Sequence, residues 1–189
     1  MFISEVDQGL ERLLREGLPF PEHVGDISFE TPNDSWAATL SRLTVNVFLY
    51  QVDRSSQPGR APVMRSVEGG PAYQRRPQPM IELGYLVSAW AGSPRDEHQL
   101  LSSVVSLLAG TATLPERVAP EGLSSSVSLS LGGQLGPRDV WQGLGGKLRP
   151  SLLMTATVAA DTWDWELQAP AVERLSVLSN PSPIPPVRG

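Results

Sequence analysis

Residues 43–50 and 80–90 are two runs of strand-forming residues, and the stretch between them can continue neither. In the first, Leu43, Val45, Val47 and Leu49 alternate with Thr44, Asn46, Phe48 and Tyr50, the period-two pattern of a half-buried strand. The second, from Met80 to Trp90, is nearly all apolar and reads as a buried strand. Between them, residues 53–79 carry Arg54, Arg60, Arg65, Arg75 and Arg76 against Asp53 and Glu68, with prolines at 58, 62, 71, 77 and 79. Proline donates no hydrogen bond to a strand ladder. The two strands are therefore expected to be joined by a long exposed arm. Loops of this length are uncommon in compact domains and are either functional or disordered. The arm reads as a solvated loop or as a partner contact.

The flanking elements follow from periodicity and punctuation. Ile3, Val6, Leu10, Leu13 and Leu14 form a helical stripe, Ser4 and Asp7 fit a capping box, and Gly17 with Pro19 and Pro21 ends the helix. Residues 26–30 alternate as a short strand. Ser93, Pro94, Asp96 and Glu97 announce a second helix whose buried face is Leu100, Leu101, Val104, Val105 and Leu108, with Gly110 closing it. Residues 123–131 alternate apolar with serine and should be partly strand. Residues 137–144 read as a short helix or turn, residues 152–158 as a firm strand and residues 172–178 as a strand fragment. The prolines at 181, 183, 185 and 186 predict a disordered tail over 179–189. This order predicts an α+β domain over 1–178, a mainly antiparallel sheet with helices packed on one face and the arm of 53–79 between two strands.

Composition narrows the function classes. A chain of 189 residues suits one domain and needs no covalent staple. The 18 prolines and 17 glycines exceed the usual share of about 12% and predict a loop-rich fold. The absence of cysteine excludes disulfides, thiolate metal sites and cysteine nucleophiles. A net charge of −5 is the wrong sign for a dedicated nucleic-acid binder. The basic arm also carries a single aromatic, Tyr73. No stretch approaches the roughly 20 apolar residues of a membrane span, and the first residues lack a basic leader, so a cytoplasmic protein is expected. Fourteen of the fifteen basic residues are Arg, which fits a GC-rich genome or bidentate pairing at interfaces.

The search for catalytic chemistry finds little. His23 and His98 are the only histidines, they lack zinc-ligand spacing, and no Gly-x-Ser-x-Gly elbow exists to build a triad around either. Residues 143–148 mimic a phosphate loop, but Trp141 stands where the first glycine belongs and Leu148 where the magnesium-binding hydroxyl belongs. Residues 132–136 miss the dinucleotide pattern. Asp161, Asp164 and Glu166 beside Trp163 and Trp165 could be read as a sugar or calcium site, and more simply as a strand end with a half-buried aromatic pair. No enzyme, metal or cofactor is expected.

The order of segments resembles a known family. A helical start precedes residues 43–52, the Arg/Pro arm, then residues 83–90 and Glu97-His98-Gln99-Leu100-Leu101. Val140-Trp141-Gln142-Gly143-Leu144 and Arg149-Pro150-Ser151-Leu152-Leu153-Met154 follow. This set, over roughly residues 1–178, is similar to the N-terminal-type domain of the cap, or tail terminator, proteins of contractile injection systems, which are phage-tail-like particles. The resemblance implies a structural role: a homohexameric ring that closes the distal end of the inner tube and sheath. A ring of one chain needs head-to-tail contacts that close after a fixed rotation. Its expected partners are further copies of itself, the inner tube protein and the sheath protein. Arg54, Arg60, Arg65, Arg75 and Arg76 are the candidate assembly contacts, able to pair with carboxylates on a neighbour. Trp141 joins them as an interface anchor, although it and Trp90 read first as core aromatics. Strand addition at a sheet edge is a second route to a partner. The short Pro-rich end argues against direct membrane insertion. The alternatives are a phage tail-completion protein and, in a different class, a small-ligand-binding or hydrolase domain, which would show a deep pocket with perturbed acids.

Overall fold

The computed structural model describes residues 1–59, 63–66 and 71–168. Arg60, the expected strand fragment 172–178 and the tail 179–189 lie outside the described residues. Helix α1 (Phe2–Gly17) leads into strand β1 (Gly25–Ser28), a one-turn helix α2 (Asp34–Ala37) and strand β2 (Leu43–Arg54). Strands β3 (Val63–Ser66) and β4 (Ala72–Arg75) precede β5 (Met80–Trp90) and helix α3 (Pro94–Ala109). Strand β6 (Ser128–Leu131), helix α4 (Pro137–Gly143) and strands β7 (Ser151–Ala159) and β8 (Trp165–Leu167) follow.

The main sheet has the order β1-β2-β5-β7-β6. All its pairs are antiparallel except β1 with β2 at one edge. Central β5 is buried on both faces, which is why its sequence runs apolar without alternation. Leu83, Tyr85, Val87 and Ala89 face the larger core with Val6, Leu10, Leu13 and Leu14 of α1 and Leu100, Val104 and Leu108 of α3. Leu86 and Trp90 face a smaller core with Trp36, Val140, Trp141 and Leu153. The architecture is α+β with mostly antiparallel sheets. The expectation of helices on one face holds for α1 and α3, whereas the short α2 and α4 cover the other.

Local chemistry sets the boundaries. The Ser93 hydroxyl accepts from the Asp96 amide at 3.2 Å, Pro94 occupies the first turn and Gly110 caps the end, so α3 matches its sequence signals. Its buried face is narrower than expected, because Val105 points outward. Helix α1 starts earlier than the capping-box reading placed it. Met1 is its N-cap, Ser4 donates back to the Met1 carbonyl at 2.9 Å, and Asp7 turns inward to Tyr85. Phe2 and Ile3 pack against the larger core, which draws the first turn into the helix. Residues 123–131, expected to be partly strand, form strand over β6 alone. Ser124 bonds Asp161 through both amide and hydroxyl, and the Ser125 hydroxyl accepts from the Ala159 amide at 3.0 Å. These serines spend their polar groups outside the strand ladder.

The arm departs most from its expected form. Strand β2 runs on to Arg54, and β3 pairs antiparallel with β4. Strand β8 joins on the far side of β4, giving a second sheet of order β3-β4-β8.

Candidate assembly surface

The second sheet is held at its root by one buried side chain. Gln78, 8% exposed, accepts from the backbone amides of Thr162 and Trp163 at 2.7 and 3.0 Å and donates to the Trp163 carbonyl at 2.9 Å. Beside it Arg75 donates to the same carbonyl at 2.7 Å and pairs with Asp161 at 3.1 Å. Asp161 sits at φ 48°, in the left-handed region that Asp tolerates better than most residues, and its carboxylate joins Arg75 to Ser124. Arg76 pairs with Glu166 at 3.1 Å and lies 5.7 Å from the centre of the Trp163 ring. Residues 161–168 are thereby bound to the arm, and the Gln168 amide adds a bond to the Ala72 carbonyl at 2.8 Å.

The five arginines thus divide. Arg75 and Arg76 are engaged within the chain. Arg54 at the end of β2 and Arg65 in β3 are exposed, without an ion-pair partner among the described residues. Trp141 stands in the core, as the first of its two readings had it. It is 1% exposed, its indole N–H donates to the Ser151 hydroxyl at 2.9 Å, and its ring lies 6.3 Å from that of Trp90. Trp90 in turn meets Trp36 edge-on at 5.1 Å. The three indoles pack within the chain's smaller core.

Exposed apolar side chains gather on the second sheet and its approach. Val63, Met64, Tyr73, Trp163, Trp165 and Leu167 are each between 38% and 67% exposed. Trp163 and Trp165, 42% and 39% exposed, are half-buried as expected; Trp165 opens β8, and residues 161–164 precede it outside any strand. Sequence reasoning missed this surface because its residues lie in two separate segments, which only the β4–β8 pairing joins.

The clefts have a different character. One of about 410 Å³ is lined by Trp90, Glu97, Arg149, Arg42 and neighbours. Arg149 pairs with Glu97 at 2.6 Å and lies 4.0 Å over the Trp90 ring, and Arg42 pairs with Asp26 at 3.0 Å. Its charges are already matched and no histidine lines it. His23 and His98 are both exposed and far apart in sequence. Among the described residues no three His, Asp or Glu side chains converge on a metal-sized site. No helix among them is long and apolar enough to cross a membrane. Two of the perturbed acids, Asp7 and Tyr85, form a pair at the edge of the core. The Tyr85 hydroxyl donates to Asp7 at 2.8 Å, burial pushes the Asp7 carboxyl above its ordinary value, and burial with the Asp7 charge pushes the Tyr85 hydroxyl strongly up.

Two solved structures share this fold. One is the sheath/tube terminator of the PVC extracellular contractile injection system in its extended state. It has a TM-score of 0.64 and 21% identity, over 95% of this chain and 64% of that one. The other is the tube-terminating cap of the anti-feeding prophage, with a TM-score of 0.63 and 21% identity, over 92% of this chain and 60% of that one. The chain spans less than two-thirds of the length of either. No curated protein matches it. The family model described as the Pvc16 N-terminal domain matches residues 5–174, nearly the whole span the motif order pointed to, and the chain belongs to that family.

Proposed function

We propose that this chain is a structural cap of a contractile injection system, closing the distal end of the inner tube and sheath as a sixfold ring. The family match over residues 5–174, on a fold shared with two terminator caps, carries this reading. The role needs no catalysis. A closed ring can present one face that matches the last tube layer and offer no face for another, which ends a polymer by geometry. In this reading residues 1–178 act as one cap domain, and Arg54, Arg60 and Arg65 reach carboxylates on tube, sheath or neighbouring subunits. Arg75 and Arg76 keep the arm in position. The particle assembles in the cytoplasm.

Electron microscopy of sheath particles from the source cell, with and without the gene, tests the proposal. Capping predicts overlong, open-ended or missing particles on deletion, and the protein at one end of the wild-type particle. Particles unchanged by deletion would refute it. A capsid attached at that end would identify a phage tail-completion protein instead.

A further inference from the structure

Among the described residues the second sheet buries little and has an open edge. All four side chains of β3 and all three of β8 are exposed. Three-stranded sheets hold together in water when one face is covered. The register places Val63, Arg75 and Trp165 in one row and Arg65, Tyr73 and Leu167 in the next. Both rows project from the same face, because paired residues share a side and alternate residues repeat it. That face holds four exposed apolar side chains and two arginines. Arg75 is committed to Asp161, and Arg65 is unpaired among the described residues. The other face is more polar, with Gln74, Glu166 and Ser66 beside Met64 and Ala72.

Strand β3 is also an edge. Among the described residues no strand pairs with its outer side, and its pairing with β4 runs from Val63 to Ser66 without a bulge. Proteins usually blunt such an edge with a bulge, a charge or a cover, because its free amides and carbonyls recruit strands. Here the one charge is Arg65. A single cation amid apolar neighbours both discourages like strands and selects a strand of opposite charge.

We infer that the outer edge of β3 receives an extended segment of another protein, with a carboxylate opposite Arg65 and an apolar side chain opposite Val63. Backbone bonds supply the affinity, and the Arg65 pair with the Val63–Tyr73–Trp165–Leu167 face supplies the choice of partner. The unpaired charge of the sheet is positive, so a basic strand is repelled. This edge would take such a strand whether or not the chain caps a tube.

The test uses the full chain and two synthetic peptides, acetyl-Thr-Val-Thr-Glu-Thr-Val-Thr-amide and the same sequence with lysine in place of glutamate. Amide chemical shifts and tryptophan fluorescence report binding. The glutamate peptide is expected to shift the amides of residues 63–66 and to bind tighter than the lysine peptide by about fivefold or more. Arg65→Glu, at an exposed position, is expected to fold normally and to reverse the preference. Equal binding of the two peptides, no binding, or shifts confined to another surface would overturn the inference. Two further outcomes would also overturn it. If the β3 amides that point away from β4 resist hydrogen exchange in dilute monomer, another segment of the same chain already covers the edge. If protection grows with protein concentration, a second copy does.

Discussion

Trp141 and Asp7 show how single residues are fixed by what surrounds them. Trp141 fills the smaller core between α4 and β7, with its one polar atom matched by Ser151. Truncation leaves a cavity and takes one partner from the Ser151 hydroxyl, which keeps its bond to the Arg149 carbonyl. Trp141→Ala is therefore expected to cost about 3–5 kcal/mol, seen as a lower denaturant midpoint at unchanged m-value. A cost below about 1 kcal/mol would mean the ring is not core. Asp7 behaves differently because its environment disfavours charge. Its carboxyl is raised above 3.8, by burial first and against the opposing bond from Tyr85. A group that holds its proton more tightly when folded adds stability that is complete below its unfolded pKa. That contribution is lost as pH rises through the folded value. Asp7→Asn keeps an acceptor for the Tyr85 hydroxyl and removes the titration. The stability of the variant relative to wild type should rise between about pH 3 and about pH 7, where the other carboxylates cancel. A flat difference across urea melts in that range would contradict the burial of the charge.

At the scale of elements, the second sheet depends on a side chain outside any strand. Gln78 binds both sides of the Thr162–Trp163 backbone, and removing it leaves the Thr162 and Trp163 amides without a partner, while the Trp163 carbonyl keeps its bond from Arg75. Gln78→Ala is expected to cost about 1–3 kcal/mol locally and to speed hydrogen exchange of residues 162–168 while the main sheet stays protected. Uniform loss of protection would mean the two sheets unfold as one. The same contrast explains what the sequence revealed. Strands β2, β5 and β7 and helix α3 were legible because burial on a core writes its period into the residues, and Ser93, Pro94 and Gly110 mark the ends of α3. Strands β3, β4 and β8 bury almost nothing, so their residues carry no alternation, and the prolines around them read as breaks. Helix α1 was legible in its stripe and not at its start, since Met1 caps it without a side-chain bond. The arginines were visible as a cluster, but the sequence held no sign that Asp161 and Glu166, some 90 positions away, had claimed two of them.

For the whole molecule, that division turns the arginine hypothesis into two separable outcomes. The chain carries −5 overall, while Arg54 and Arg65 on the arm and its sheet have no ion-pair partner among the described residues. Exposed charges of this kind contribute little to folding. Arg54→Ser with Arg65→Ser should therefore leave the melting temperature unchanged within about 0.5 kcal/mol of stability. If these two residues meet carboxylates in the assembly, the same double variant should give uncapped particles by electron microscopy, and wild-type capping should weaken as salt is raised. Arg75→Ser with Arg76→Ser should do something else. It removes the half-buried pair to Asp161 and the bond to the Trp163 carbonyl, so it should loosen residues 161–168 at a cost of about 1–2 kcal/mol before any partner is present. Its assembly defect should then be rescued at lower temperature, where the segment re-forms, while the defect of the Arg54 and Arg65 variant should not. A variant at Arg54 and Arg65 that caps particles normally at all salt concentrations would remove these residues from the proposed contacts with tube, sheath or neighbouring subunits.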